Sequence, residues 1–154
     1  MSHILAKPKH MFSWGYDLFI GNELLTTMDV RWLSYGGSFC WDDVEYRLGR
    51  EGRWSGDFFI SNGNTTIAEA IKTSPFPHRF LVSLSIGNSV LSGHPFTRVF
   101  QLKRDEGIVG EIRPKHILTR HCTIQLPDEL CIQEQVFVFW LAVLMWRRSS
   151  RMSE

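Results

Sequence analysis

Cysteine is scarce and forms no motif: Cys40, Cys122 and Cys131 show no CxxC spacing and make an odd count, which argues against a secreted disulfide frame and for buried thiols in a reducing compartment. Net charge is almost absent too. At +1 the chain has no overall basic field of the kind that drives non-specific nucleic-acid binding, so nucleic acid is not an expected partner and only local basic patches remain. Long apolar runs are missing. The first ten residues hold His3, Lys7, Lys9 and His10 and no signal-peptide core, and Val136 to Trp146 falls well short of the roughly 20 residues a membrane span requires. GxSxG, a Gly-rich phosphate loop and HExxH are all lacking, so the sequence carries no motif whose mechanism can be named. The expected protein is cytoplasmic, and no motif calls for a cofactor or a metal.

What is present is an ordinary globular composition with an aromatic excess. The 154 residues suit one core, hydrophobic residues at 44% and charged residues at 21% are near average, and 11 Phe with 6 Trp demand a bulky interior. Residues 1–10 read as a flexible tail, 11–148 as one domain and 149–154 as a second tail. From Met11 to Leu126 the dominant period is two. Val44, Tyr46 and Leu48 alternate with polar neighbours, as do Phe80, Val82 and Leu84 and then Cys122, Ile124 and Leu126, which predicts consecutive antiparallel strands with one face each for a core. Asn62-Gly63-Asn64 predicts a tight hairpin between Phe58 to Ser61 and Thr65 to Lys72. Gly49 to Gly52, Gly87-Asn88 and Asp105 to Gly107 read as further turns, and Pro75 with Pro77 as a bend.

The pattern changes at Pro127. Asp128 and Glu129 sit where a helix N-terminus prefers negative charge and Arg147 and Arg148 where a C-terminus prefers positive charge, which predicts one helix over about residues 128–148. Its stretch VFVFWLAVLMW is apolar around the whole circumference, interrupted on its N-terminal side by Gln133, Glu134 and Gln135. Such a helix needs protein on every side. A sheet closed around it supplies this, provided the barrel is wider than the eight-stranded kind that side chains alone fill. The fold class is therefore mainly β, a closed or nearly closed antiparallel barrel enclosing a hydrophobic C-terminal helix.

That architecture resembles the tubby-like superfamily of tubby C-terminal domains, phospholipid scramblases and LURP-one-related proteins. The likeness is carried by GIVGEIRP at Gly107 to Pro114, Gln125-Leu126-Pro127, and WLAVLMWRR at Trp140 to Arg148, with the rhythm of Asp57-Phe58-Phe59-Ile60 and Ile67-Ala68-Glu69-Ala70. It spans about Asp17 to Arg148 and is nearest to the small prokaryotic-type members. The resemblance implies a non-enzymatic module that meets a membrane surface, a lipid or another protein, peripheral to the inner face of the membrane. The cysteine-rich segment, Pro-rich region and acidic calcium loop of scramblases have no counterpart here, and the paired basic side chains of tubby domains match no Lys or Arg one for one.

Between Ile112 and Pro127 there is no Asp or Glu, while Arg113, Lys115 and Arg120 stand with His116 and His121. These three cations are the candidate lipid-binding residues, set against an ordinary solvated strand and loop. Arg147, Arg148 and Arg151 form a second basic group, the first two explained by the helix dipole. His116 and His121 are an odd offset apart and no fourth ligand is near, so no metal is expected. Cys122 and Cys131 read as small apolar residues. Asp42, Asp43 and Glu45 read as a charged turn before a strand. Trp14, Trp32, Trp41 and Trp54 read mainly as core. Two other classes stay open: a small-ligand carrier, which requires a cavity the helix leaves unfilled, and an uncharacterised enzyme, which requires a polar cleft with convergent acids.

Overall fold

The computed structural model describes residues 2–10, 14–31, 36–51, 57–74, 79–94, 96–116 and 119–152. Twelve strands run in chain order: β1 (Ser2–Pro8), β2 (Tyr16–Ile20), β3 (Glu23–Val30), β4 (Gly37–Trp41), β5 (Val44–Arg50) and β6 (Asp57–Ser61), then β7 (Thr66–Ser74), β8 (Arg79–Leu84), β9 (Gly87–Gly93), β10 (Phe100–Arg104), β11 (Gly107–Pro114) and β12 (Cys122–Leu126), followed by helix α1 (Ile132–Met152). Every strand pairs antiparallel with its neighbours in sequence, and β1 closes the ring by pairing with both β12 and β2. The result is an up-and-down barrel with no open edge, which removes the unpaired backbone groups that invite aggregation.

Alternation sets the inner wall. Phe80, Val82 and Leu84 of β8 are buried while Arg79, Leu81 and Ser83 are exposed, and β12 turns Cys122, Ile124 and Leu126 inward. The hairpin at Asn62-Gly63-Asn64 joins β6 to β7 as its residues predict, with Gly63 at φ +109° and the Asn62 carboxamide accepting the Thr65 N–H at 3.1 Å. The turn after β8 falls on Ser85 and Ile86, two residues ahead of Gly87-Asn88, which open β9. Gly49 and Arg50 lie inside β5 rather than in the predicted turn, and Gly52 and the Pro75 and Pro77 bend lie outside the described residues.

The helix runs through the barrel. Val136 to Met145 are each at most 1% exposed and Trp146 is 6% exposed, so every side of the apolar run meets protein. The Trp140 indole stacks on Phe137 and meets the edge of Phe58, with centroids 6.1 and 5.8 Å apart, while Phe139 lies 5.0 Å from Tyr16. Gly37 faces inward beside Trp140: a Cβ there would come within 3.3 Å of the indole nitrogen and 2.7 Å of the Asp29 carbonyl oxygen. A larger residue would displace one of them.

Three boundaries differ from the sequence-based expectation. Ser2–Pro8, expected in a tail, form β1, which buries Ile4 and Ala6 and supplies the strand that closes the ring. The helix begins at Ile132 rather than 128, with Asp128 and Glu129 in a turn closed by the Leu130 N–H on the Pro127 carbonyl at 3.1 Å. It also continues through Met152, so residues 149–152, expected in a tail, are helical. The polar triplet that breaks the apolar run is the helix start. Glu134 is buried and its carboxylate accepts the Ser85 backbone N–H and hydroxyl, both at 2.7 Å, together with the Cys131 N–H at 3.3 Å. This is the reciprocal half of a capping box, tied to the barrel wall. At the far end Arg147, 2% exposed, donates to the Arg31 carbonyl at 2.7 Å. Both buried charges therefore complement the helix dipole, and no described helix is long and apolar enough to cross a membrane.

Candidate functional site

In an up-and-down barrel successive connections alternate between the two ends. Residues 21–22, 42–43, 62–65, 85–86 and 105–106, and the segment 127–131 leading into the helix, lie at one end, here called the turn end. The strand ends at Pro8 and Tyr16, Val30 and Gly37, Arg50 and Asp57, Ser74 and Arg79, Gly93 and Phe100, and Pro114 and Cys122 lie at the other, the loop end, where the helix also finishes. Charge divides the same way. At the turn end the charged residues of the connections are Asp42, Asp43, Asp105, Glu106, Asp128 and Glu129, all acidic. Among the described connection residues of the loop end, Lys9, Arg31, Arg98, Lys115 and Arg120 oppose only Glu51, and the helix adds Arg147 and Arg148. A chain of net charge +1 is thus strongly polarised along the barrel axis.

The three candidate cations meet different fates. Arg113, on the outer face of β11, pairs with Glu111 two residues earlier, Nε to Oε1 3.0 Å and Nη2 to Oε2 3.4 Å, so an acid just outside the acid-free stretch neutralises it. This bridge also holds the guanidinium in its charged form. Arg120 donates to the His10 carbonyl and lies over the Trp14 ring, 5.4 Å from its centroid, which fixes its position. Lys115 is exposed at the end of β11. Lys115 is joined to His121 by its backbone N–H on the His121 carbonyl at 2.9 Å, and Lys115 and Arg120 are both among the charges that act on the His121 ring.

His121 reports the local field. Burial lowers its pKa below the ordinary 6.5, and positive charge on Lys115, Lys7, His116 and Arg120 lowers it further. Lys7 is a member of this cluster that strand periodicity concealed, because it belongs to β1, the segment read as a tail. Its ammonium sits 5.0 Å over the Phe19 ring. A second crowded spot lies nearby in kind: burial and then Arg148 push the Lys72 ammonium below its ordinary value. Lys9, by contrast, is paired with Asp29 at 2.9 Å.

The depressed His121 pKa carries a stability consequence. Below pH 6.5 an unfolded chain protonates this ring more readily than the folded protein does, so the unfolded state binds more protons and stability falls. The contribution is complete above the unfolded value and is lost as pH drops through the lower folded value. His121→Gln is therefore expected to flatten the decline of the urea midpoint on the acid side of pH 6.5 relative to the wild type. An unchanged slope would assign that decline to other groups.

The remaining candidates are structural. The Cys122 thiol, pushed up to about 12 by burial, donates to the Arg120 carbonyl at 3.0 Å and behaves as an apolar core residue. Cys131 differs from expectation: it is exposed at the helix start, its thiol 3.3 Å from Glu134 Oε1. Asp42 and Asp43 form the turn between β4 and β5, both at positive φ. Trp14 and Trp41 are half-buried against the core, and Trp32 and Trp54 lie outside the described residues. Among the described residues no three metal-capable side chains converge. The fold and this end together define a closed antiparallel barrel threaded by a hydrophobic helix and charged at its poles. No family model, curated protein or solved structure matches the chain.

Proposed function

We propose that the chain is a non-enzymatic binding module of the tubby-like kind that docks its loop end on an anionic membrane surface, peripherally and from the cytoplasmic side. The observation that carries this reading is the division of charge between the two ends of the barrel. Lys115, Arg120 and Lys7 crowd around His121 with no acid among the charges that shift it, an arrangement an approaching anion relieves. Each such cation near an anionic surface contributes about 1 kcal/mol. The Val136 to Trp146 helix occupies the barrel axis, which favours a surface role over the carriage of a small ligand within.

Reversing the exposed loop-end cations in Lys115→Glu with Arg148→Glu is expected to abolish co-sedimentation with phosphatidylserine-containing vesicles at low salt. The same change in net charge placed on β10, Lys103→Glu with Arg104→Glu, is expected to leave most binding intact. Wild-type binding should also weaken as the Debye length shrinks from about 10 Å at 0.1 M salt to about 3 Å at 1 M. Equal losses in both double variants would show that net charge, and not the loop end, governs association. No wild-type binding at any salt would end the membrane reading and leave a protein partner as the occupant of the basic end.

A further inference from the structure

The connection between β9 and β10 displays Phe96, which at 85% exposure is the most exposed of the large hydrophobic side chains among the described residues. The turn that carries it is held closely. The His94 N–H donates to the Val99 carbonyl at 2.8 Å, and His94 Nδ1 accepts the backbone N–H of Phe96 at 3.2 Å and of Thr97 at 3.1 Å. Arg98 sits at φ +64°, a left-handed conformation unusual for a residue with a side chain. Its carbonyl accepts the Trp146 indole N–H at 2.9 Å and its guanidinium lies 5.6 Å over that ring, so the turn is fastened to the end of the central helix. Phe96 is thereby presented at a fixed place.

A single exposed apolar residue needs no explanation by itself. The surroundings of Phe96 are what give it meaning. Arg98 follows it by two residues, and the Arg98 guanidinium also donates to the Thr119 carbonyl at 3.4 Å, joining this turn to the connection that bears Lys115 and Arg120. An aromatic ring projecting beside cations fits the boundary of a bilayer, where rings settle at headgroup depth and cations meet lipid phosphates. A bilayer offers both at once, anionic phosphates at its surface and an apolar layer directly beneath them, and it is the occupant this pairing of ring and cations favours. Exposed Ile108 follows the acidic Asp105-Glu106 turn and exposed Leu24 follows the Gly21-Asn22 turn, both toward the opposite end, whose charged connection residues are acidic and repel an anionic surface.

We infer that Phe96 is the apolar anchor of the basic end, entering the headgroup layer of an anionic bilayer while the exposed Lys115 and Arg148 of that end engage lipid phosphates; this rests on the membrane-docking reading above. The test uses the whole chain with phosphatidylcholine–phosphatidylserine vesicles, comparing wild type, Phe96→Ser and Phe96→Trp by co-sedimentation across a salt series. Phe96→Ser should bind about tenfold more weakly, the size expected for a buried aromatic ring returned to water. That loss should be similar at low and high salt, because salt screens the charges and not the apolar contact. Phe96→Trp should bind as the wild type does and add indole fluorescence that brominated lipids quench. Wild type that fails to bind anionic vesicles overturns the docking reading and the anchor together. Wild-type binding matched by Phe96→Ser, with Phe96→Trp unquenched, overturns the anchor alone and leaves electrostatic docking standing. A tenfold loss toward soluble heparin as well as vesicles would overturn the bilayer in favour of an acidic macromolecule. Near-UV circular dichroism checks folding, and the quenching arm decides the matter even if Phe96→Ser folds poorly.

Discussion

Leu141→Asp is expected to yield no folded protein. Leu141 is fully buried midway along the apolar stretch of α1, inside a ring of twelve strands. An ionised carboxylate there carries an effective penalty of several kcal/mol even after relaxation. Protonation offers an escape from the charge, yet a neutral carboxyl without partners still costs about 1 to 3 kcal/mol, and the lost leucine packing adds about 2 to 5 kcal/mol. The nearest buried cation, Arg147, is already committed to the Arg31 carbonyl at the end of the helix. Against a total stability on the order of 5 to 15 kcal/mol these losses leave little or nothing. Leu141→Met conserves volume and polarity and should cost under about 1.5 kcal/mol, which separates charge from mere alteration of the site. Soluble yield and the near-UV signal of the buried tryptophans are the measurements. A well-folded aspartate variant would mean the interior holds water or a cation beside Leu141.

The strands and the buried helix were legible because each obeys one period over several residues. The β8 alternation of Phe80, Val82 and Leu84 is visible in the sequence, and eleven apolar residues leave a helix no polar face, so a wide closed sheet followed from shape alone. The β1 strand was obscured because its apolar inward residues are Ile4 and Ala6 and Lys7, Pro8 and Lys9 follow at once; its burial comes from closure of the ring, a long-range fact. Helix propensity placed the N-terminus at Asp128, whereas the Glu134 contact with Ser85, 49 residues earlier, fixes it. Local charge preference was overruled by a tertiary partner. Of the candidate cations, the acid-free window missed Glu111 by one position and so overstated Arg113. The larger signal lay in alternate connections, acidic at one set and basic at the other, and becomes readable once the meander is taken literally and each turn is assigned to an end.

Removal of the helix is expected to be more damaging than any single substitution. A chain ending at Leu126 keeps all twelve strands and every ladder between them, so hydrogen bonding alone would predict a persistent barrel. Packing predicts otherwise. Barrels of about eight strands are filled by their own inward side chains, and a twelve-stranded ring is wider. Here the difference is filled by Phe137, Phe139, Trp140, Leu141, Leu144 and their neighbours, all buried. Burial of each such side chain stabilises by about 1.5 to 3 kcal/mol, and their sum exceeds the whole expected stability of a domain this size. The inner faces of Tyr16, Phe58, Phe80 and Phe100 would also lose their partners on α1 or lie against water. Collapse of the ring to a narrower sheet would require breaking the β1 pairing with β12 or β2, exposing two strand edges. Residues 1–126 should therefore be recovered as aggregate, or as a soluble species that binds hydrophobic dye and unfolds without a cooperative urea transition. A soluble product with a single sharp transition and a native-like near-UV spectrum would show that the strands close on their own side chains and that the helix is cargo within a self-sufficient wall.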